Sequence, residues 1–176
     1  RLTGGEPLLR KGIVSLVARL KGIEGVEDLS LSTNATQLQH YAHDLRRAGL
    51  DRLNISLDSL SQNGIEKITG FDAKAKVMAG LQAASEAGFM RTKINMVPLL
   101  GINDSEIDAM VEFCMQHQFI LRLIELMPMG ATAQQHQHLD LQPIISRISQ
   151  QYGLIPSQQV YGGGPARYWQ SQNGHF

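Results

Sequence analysis

A chain of 176 residues, 43% hydrophobic and 18% charged, is long enough for one domain with one sizeable core. Its 16 basic and 16 acidic residues cancel, which argues against a general nucleic-acid-binding surface but leaves room for a local basic pocket. No apolar run approaches membrane-spanning length, nothing reads as a signal peptide, and the single cysteine, Cys114, excludes an internal disulfide framework and points to a reducing compartment.

The first residues, Arg1-Leu2-Thr3-Gly4-Gly5-Glu6-Pro7, read as the end of a strand and the loop behind it. In a β/α protein such a loop faces the active site, and paired glycines let a ligand approach the backbone closely. Apolar residues Leu9, Ile13, Leu16, Val17 and Leu20 predict a helix over Leu8–Lys21. A strand is expected over Val26–Thr33, a helix over Thr36–Ala48 closed by Gly49, and a strand over Arg52–Asp58. There follow a helix over Ala73–Ala87 closed by Gly88, a strand over Thr92–Leu99, and a helix over Asp104–His117 capped by Asn103 or Asp104. A strand over Phe119–Met127, a helix over Leu139–Tyr152 ended by Gly153, and a β-like Arg167-Tyr168-Trp169 complete the chain.

Strand and helix alternate throughout, which predicts parallel strands joined by right-handed crossovers. Five β/α units are too few for a closed eight-stranded barrel, which takes roughly 250 residues. The two architectures that remain are an open doubly wound sheet and an incomplete TIM-type (β/α) barrel. The abrupt start favours an α/β chain of the second kind, with parallel strands, outer helices and its first unit missing.

Side-chain alternation divides the strands into two faces. Ser30, Ser32 and Asn34 share one parity, as do Asn54, Ser56 and Asp58, and Lys93 and Asn95; the apolar residues take the other. Helices should cover the apolar face, so the polar one should point inward. Polar groups stranded in an interior are costly unless they hold a polar ligand. An antiparallel or exposed sheet with one wet face is the alternative. Arg1, Lys93 and Arg122 all fall in strands, and three converging cations would make a phosphate or carboxylate site. Otherwise each pairs with a neighbouring acid such as Glu125 or Asp58. Cys114 reads as a small core residue, and His136 and His138 as parts of a solvated Gln-rich loop without metal-ligand spacing. Met127-Pro128-Met129-Gly130 would either cover a ligand or plug the core. Gly162-Gly163-Gly164 is followed by no helix pattern and is not read as a P-loop.

Arg1-to-Arg10 resembles the GGEP region of radical S-adenosylmethionine (SAM) enzymes. Ser32-Thr33-Asn34, the run from Ala48 to Leu60, Lys93-Ile94-Asn95, the run from Arg122 to Gly130, and Gly164-Pro165-Ala166-Arg167-Tyr168-Trp169 follow in an order that resembles the GTP 3′,8-cyclase family over essentially the whole chain. The resemblance implies a partial radical SAM barrel over residues 1–153, with residues 154–176 beginning the linker to a C-terminal cluster-binding region. It implies that the intact enzyme cyclises GTP to (8S)-3′,8-cyclo-7,8-dihydroguanosine 5′-triphosphate in molybdenum cofactor biosynthesis. A SAM-derived radical would take the ribose 3′ hydrogen, and the carbon radical so formed would attack C8 of guanine.

On the same resemblance, Gly4, Gly5 and Glu6 offer backbone groups to the methionyl amine of SAM, Ser56 binds its carboxylate end, and Met127 contacts its adenine. Arg1, Ser32, Lys93 and Arg122 bind GTP, with Ser32 standing where the family has threonine. The family carries two [4Fe-4S] clusters, whose cysteine sets are absent from this chain, and Cys114 matches neither. The chain alone is therefore expected to hold no cluster and to be inactive. The expected partners are GTP, SAM and an external electron donor, with a homodimer admitted, nucleic acid and membrane excluded, and a cytoplasmic setting. Three alternatives stay open: another radical SAM enzyme with a peptide or small-molecule substrate, a non-catalytic nucleotide-binding module, and an aldolase-type barrel using Lys93 as a Schiff base.

Overall fold

The computed structural model describes residues 1–126, 139–158 and 166–172. Four parallel strands form one sheet in sequential order: β1 (Ser30–Thr33), β2 (Arg52–Ser56), β3 (Lys93–Met96) and β4 (Ile120–Leu123). The chain start adds to the free edge of β1 through a parallel bridge between Leu2 and Leu31. Helix α1 (Ile13–Lys21) precedes β1, α2 (Leu38–Arg47) joins β1 to β2, and α3 (Gln62–Thr69) and α4 (Lys74–Glu86) join β2 to β3. Helix α5 (Ile107–His117) joins β3 to β4. Beyond these lie α6 (Leu141–Tyr152) and an antiparallel pair, β5 (Leu154–Ser157) with β6 (Tyr168–Ser171). The result is an α/β fold on a parallel sheet, as the alternation predicts.

One face of the sheet belongs to the helices. Leu31, Leu53, Ile55, Ile94 and Met96 have no exposed surface and share one core with Leu38 and Leu45 of α2, Leu81 of α4 and Met110 of α5. Each such side chain contributes about 1.5–3 kcal/mol by leaving water. Helix α2 packs on α4 where α4 carries Gly80: a Cβ there would stand 2.3 Å from the carbonyl oxygen of Ala35. Cys114 is fully buried in this core, and burial pushes its thiol up to about 12, so it is a packing residue.

Several expected elements differ in extent. The first helix begins at Ile13, because Pro7–Leu9 form a separate 3₁₀ turn and Gly12, at φ +73°, breaks the run. Ordered pairing in β1, β3 and β4 spans four residues each, shorter than the apolar runs that predict them. Helix α5 starts at Ile107 with Glu106 at its N-cap position, so neither predicted cap, Asn103 or Asp104, caps it. Asn103 is fully buried instead, and its side chain ties loops together. Helix α3 is not expected from hydrophobic spacing. It is set by its ends, with Ser61 accepting from the Gly64 N–H and Gly70 closing it at φ +78°. Met127, His136, His138 and Gly162-Gly163-Gly164 lie outside the described residues. Among the described residues, no helix is long and apolar enough to cross a membrane.

Candidate functional site

The register of the sheet arranges its polar face in rows. Ser32 pairs with Asn54 and Asn54 with Lys93. One step toward the C-terminal ends, Ser56 pairs with Asn95 and Asn95 with Arg122. Partners on adjacent parallel strands point the same way, so Ser32 and Lys93 share a row two strands apart, about 9–10 Å between strand axes, as do Ser56 and Arg122. Arg1 precedes Leu2 of the edge bridge and falls on this polar side.

That face lines a cavity of about 1120 Å³ whose wall includes Arg1, Ser30, Asn54, Lys93 and Arg122. Arg1, Lys93 and Arg122 thus border one cavity, together with Arg52, Arg91 and Arg167. Ser32 is half-buried in its row, and Ser56 is exposed at the C-terminal end of β2, where it borders a second cavity of about 430 Å³ with Asn34 and Asp58. Among the described residues Asp58 pairs with no cation: its Oδ1 accepts the Val97 N–H at 2.7 Å, and burial raises its carboxyl above the ordinary value against the effect of that bond.

Among the described residues, Asn95 Oδ1 and Arg122 Nε are buried and find no hydrogen-bond partner, although the two residues stand side by side in register. Buried polar atoms normally find partners, and leaving one without costs about 1–3 kcal/mol.

Lys93 is 2% exposed, yet its ammonium is not idle. Its Nζ donates to Tyr168 Oη at 3.1 Å and lies 5.3 Å from the centroid of the same ring. Tyr168 reaches it from β6, with Trp169 and Gln170 on the same cavity wall. The sequence marks Arg167-Tyr168-Trp169 as β-like but carries no signal that the segment folds back on the polar face.

The loops at the C-terminal ends of the strands are fastened by side chains. Gly4 has φ +144°, and a Cβ added to Gly4 or Gly5 would meet nothing within 4 Å, so both backbones stand open to approach. The Glu6 carboxylate accepts from Leu8 N–H at 3.1 Å, Thr33 Oγ1 at 2.7 Å and Asn34 N–H at 2.8 Å, binding the Gly-Gly loop to the end of β1. Behind β2, Glu106 accepts from the Ser59 and Ser61 hydroxyls and from the Leu60 and Ser61 N–H groups. Asn103 Nδ2 donates to the carbonyls of Asp58 and Val97, while its Oδ1 accepts from Leu99 N–H. The roles of the Glu6 side chain, Glu106 and Asn103 were not legible in spacing, since their partners lie up to 47 residues away.

The profile of the radical SAM superfamily matches residues 1–114, the stretch that holds the Gly-Gly loop, β1, β2 and β3. The chain belongs to the radical SAM superfamily. Among curated proteins it is 46% identical over 172 residues to GTP 3′,8-cyclase of Gloeobacter violaceus, covering 97% of this chain and 53% of that protein. It is 43% identical over 173 residues to GTP 3′,8-cyclase 2 of Pseudomonas aeruginosa, covering 97% and 52%. The chain thus spans about half the length of the curated relatives it matches. A domain of pyruvate-formate lyase-activating enzyme from Bacteroides vulgatus superposes with a TM-score of 0.63 at 19% identity, over 85% of this chain and 89% of that one. Coproporphyrinogen III oxidase of Escherichia coli, a radical SAM enzyme, gives 0.58 at 17%, over 85% and 39%. These two likenesses establish the architecture alone.

Radical SAM chemistry runs on SAM and a four-iron cluster. The open backbone at Gly4 and Gly5 fits the close approach of a small zwitterionic group. A cluster finds no such fit in this chain: it has one cysteine, buried in the core, and no group of three His, Cys, Asp or Glu side chains able to hold a metal occurs among the described residues.

Proposed function

We propose that this chain is the central part of a GTP 3′,8-cyclase, an incomplete (β/α) barrel whose polar inner face receives GTP and SAM. One observation carries the reading: Lys93 of β3, Arg122 of β4 and Arg1, next to the edge bridge at Leu2, line a single cavity on the polar face of the sheet. Three cations fit a triphosphate, and the hydroxyls and amides beside them fit a sugar and a base. The relatives named above support the choice of substrate.

In this reading Arg1, Lys93, Arg122 and the hydroxyl of Ser32 bind GTP. Gly4, Gly5 and Glu6 present backbone groups to the SAM amine, while the Glu6 carboxylate holds their loop in shape. Ser56 binds the SAM carboxylate end. Met127, outside the described residues, contacts the adenine. Bound SAM supplies the radical chemistry. This chain's residues orient the two ligands and neutralise phosphate charge. Residues 1–153 make up the barrel portion, and residues 154–176 begin the segment that leads from it. The clusters, the external electron donor, a homodimer and a cytoplasmic setting belong to the intact protein. The chain alone is inactive, because its only cysteine, Cys114, is buried and neither cluster can form on it.

The test is the fate of hydrogen. GTP deuterated at the ribose 3′ position, given to the reconstituted intact protein with SAM and reductant, should pass deuterium into 5′-deoxyadenosine. SAM cleavage that is independent of GTP, or that carries no deuterium, contradicts the assignment.

A further inference from the structure

The polar face holds a lysine whose charge must be kept and aimed. Lys93 is almost fully buried, and its ammonium sits on a long, freely rotating stem. Tyr168 is one partner of that ammonium. Its hydroxyl oxygen accepts from Nζ at 3.1 Å, and the ring centroid lies 5.3 Å from the same ammonium, which sits at the hydroxyl edge of the ring. A neutral acceptor solvates a cation without neutralising it. The side chain comes from β6, whose register with β5 sets Tyr168 opposite Ser157, while Leu154 of β5 packs on the main core. The hairpin is thus anchored on the core through Leu154.

We propose that Tyr168 is a positioning residue for Lys93: it fixes the ammonium toward the cavity before the ligand arrives, so that an anionic phosphate meets a preorganised charge. The proposal deepens the reading of the cavity as a GTP site and rests on it. Tyr168 acts through Lys93, and its effect is therefore visible on Lys93 without any nucleotide.

The experiment uses the intact protein with the variants Tyr168→Phe and Tyr168→Leu. The rate of Lys93 acylation by a small amine reagent is followed by peptide mass spectrometry in the absence of nucleotide, and GTP affinity is measured in parallel. The phenylalanine variant keeps the ring and loses the acceptor; the leucine variant loses both. Lys93 should acylate about fivefold faster in the leucine variant and to an intermediate degree in the phenylalanine variant. The GTP dissociation constant should rise about tenfold and about threefold respectively, with thermal unfolding of the phenylalanine variant unchanged. Lys93 reactivity equal to wild type in the folded phenylalanine variant overturns the proposal, even if the leucine variant does not fold. Graded acylation in a protein that binds no GTP upholds the positioning role and contradicts the GTP reading instead.

Discussion

Asn95 and Arg122 stand opposite each other in the β3–β4 register, and each keeps one buried polar atom, Oδ1 on the first and Nε on the second, without a partner among the described residues. A protein selected for stability alone would not leave this pair unsatisfied. Replacing Asn95 by Leu removes the stranded acceptor at similar size. We expect Asn95→Leu to leave stability unchanged or raise it by up to about 1 kcal/mol, while nucleotide affinity falls about tenfold. Urea unfolding and equilibrium binding check the two halves. A loss of more than about 1 kcal/mol without ligand means that the amide has a structural partner after all.

Gly4 and Gly5 separate backbone strain from ligand access. Gly4 sits at φ +144°, so Gly4→Ala should cost about 1–3 kcal/mol through strain, although its surroundings are open. Gly5→Ala meets nothing within 4 Å and should change stability by no more than about 0.5 kcal/mol. At the proposed SAM site the added methyl group should weaken SAM binding about tenfold. Calorimetry on the intact protein decides: a Gly5→Ala protein that binds SAM normally removes this loop from the SAM site.

Glu106 is a latch with a pH signature. Burial opposes its charge, but hydrogen bonds from the Ser59 hydroxyl, the Leu60 N–H and both Ser61 donors outweigh that and hold its carboxyl below the ordinary 4.5. A lowered folded-state value means that the stabilisation is in full force above the unfolded value and is lost as pH falls through the folded one. Glu106→Gln should therefore cost about 1–3 kcal/mol at neutral pH, with the gap to wild type closing as the solution is acidified below about pH 4. A penalty that stays constant from neutral to acid pH contradicts the latch.

Gly80 tests the packing of the outer layer. In an isolated helix, Gly→Ala gains about 1 kcal/mol. Here the methyl carbon would stand 2.3 Å from the Ala35 carbonyl oxygen, a backbone atom, and 3.2 Å from Leu38 Cβ. Gly80→Ala should lower stability by about 1–3 kcal/mol because α2 and α4 must separate. A rise in melting temperature would show that the two helices are not held at this distance.

Periodicity and parity made the α/β order and the polar inner face legible. The helix-covered residues from Leu31 to Met96 obey the same alternation that turns Ser32, Asn54, Lys93 and Asn95 the other way. Element ends were less legible. Helix α3 owes its place to Ser61 and Gly70 rather than to an apolar stripe, and β5 meets β6 only through tertiary pairing. In the site, the cations were visible because charge in a strand is conspicuous. The partners that aim or fasten were not, since Tyr168 lies 75 residues from Lys93, and Glu6 reaches Thr33 across 27. Such contacts follow from three-dimensional closure and leave no local pattern.

The central claim is that three cations on one face make a triphosphate site. It is tested most directly by comparing GTP with guanosine as ligands of the intact protein at low salt. GTP should bind at least about 100-fold more tightly, and Lys93→Met and Arg122→Met should each narrow that gap by about tenfold. Equal affinity for the two ligands, or a gap untouched by either substitution, would contradict it.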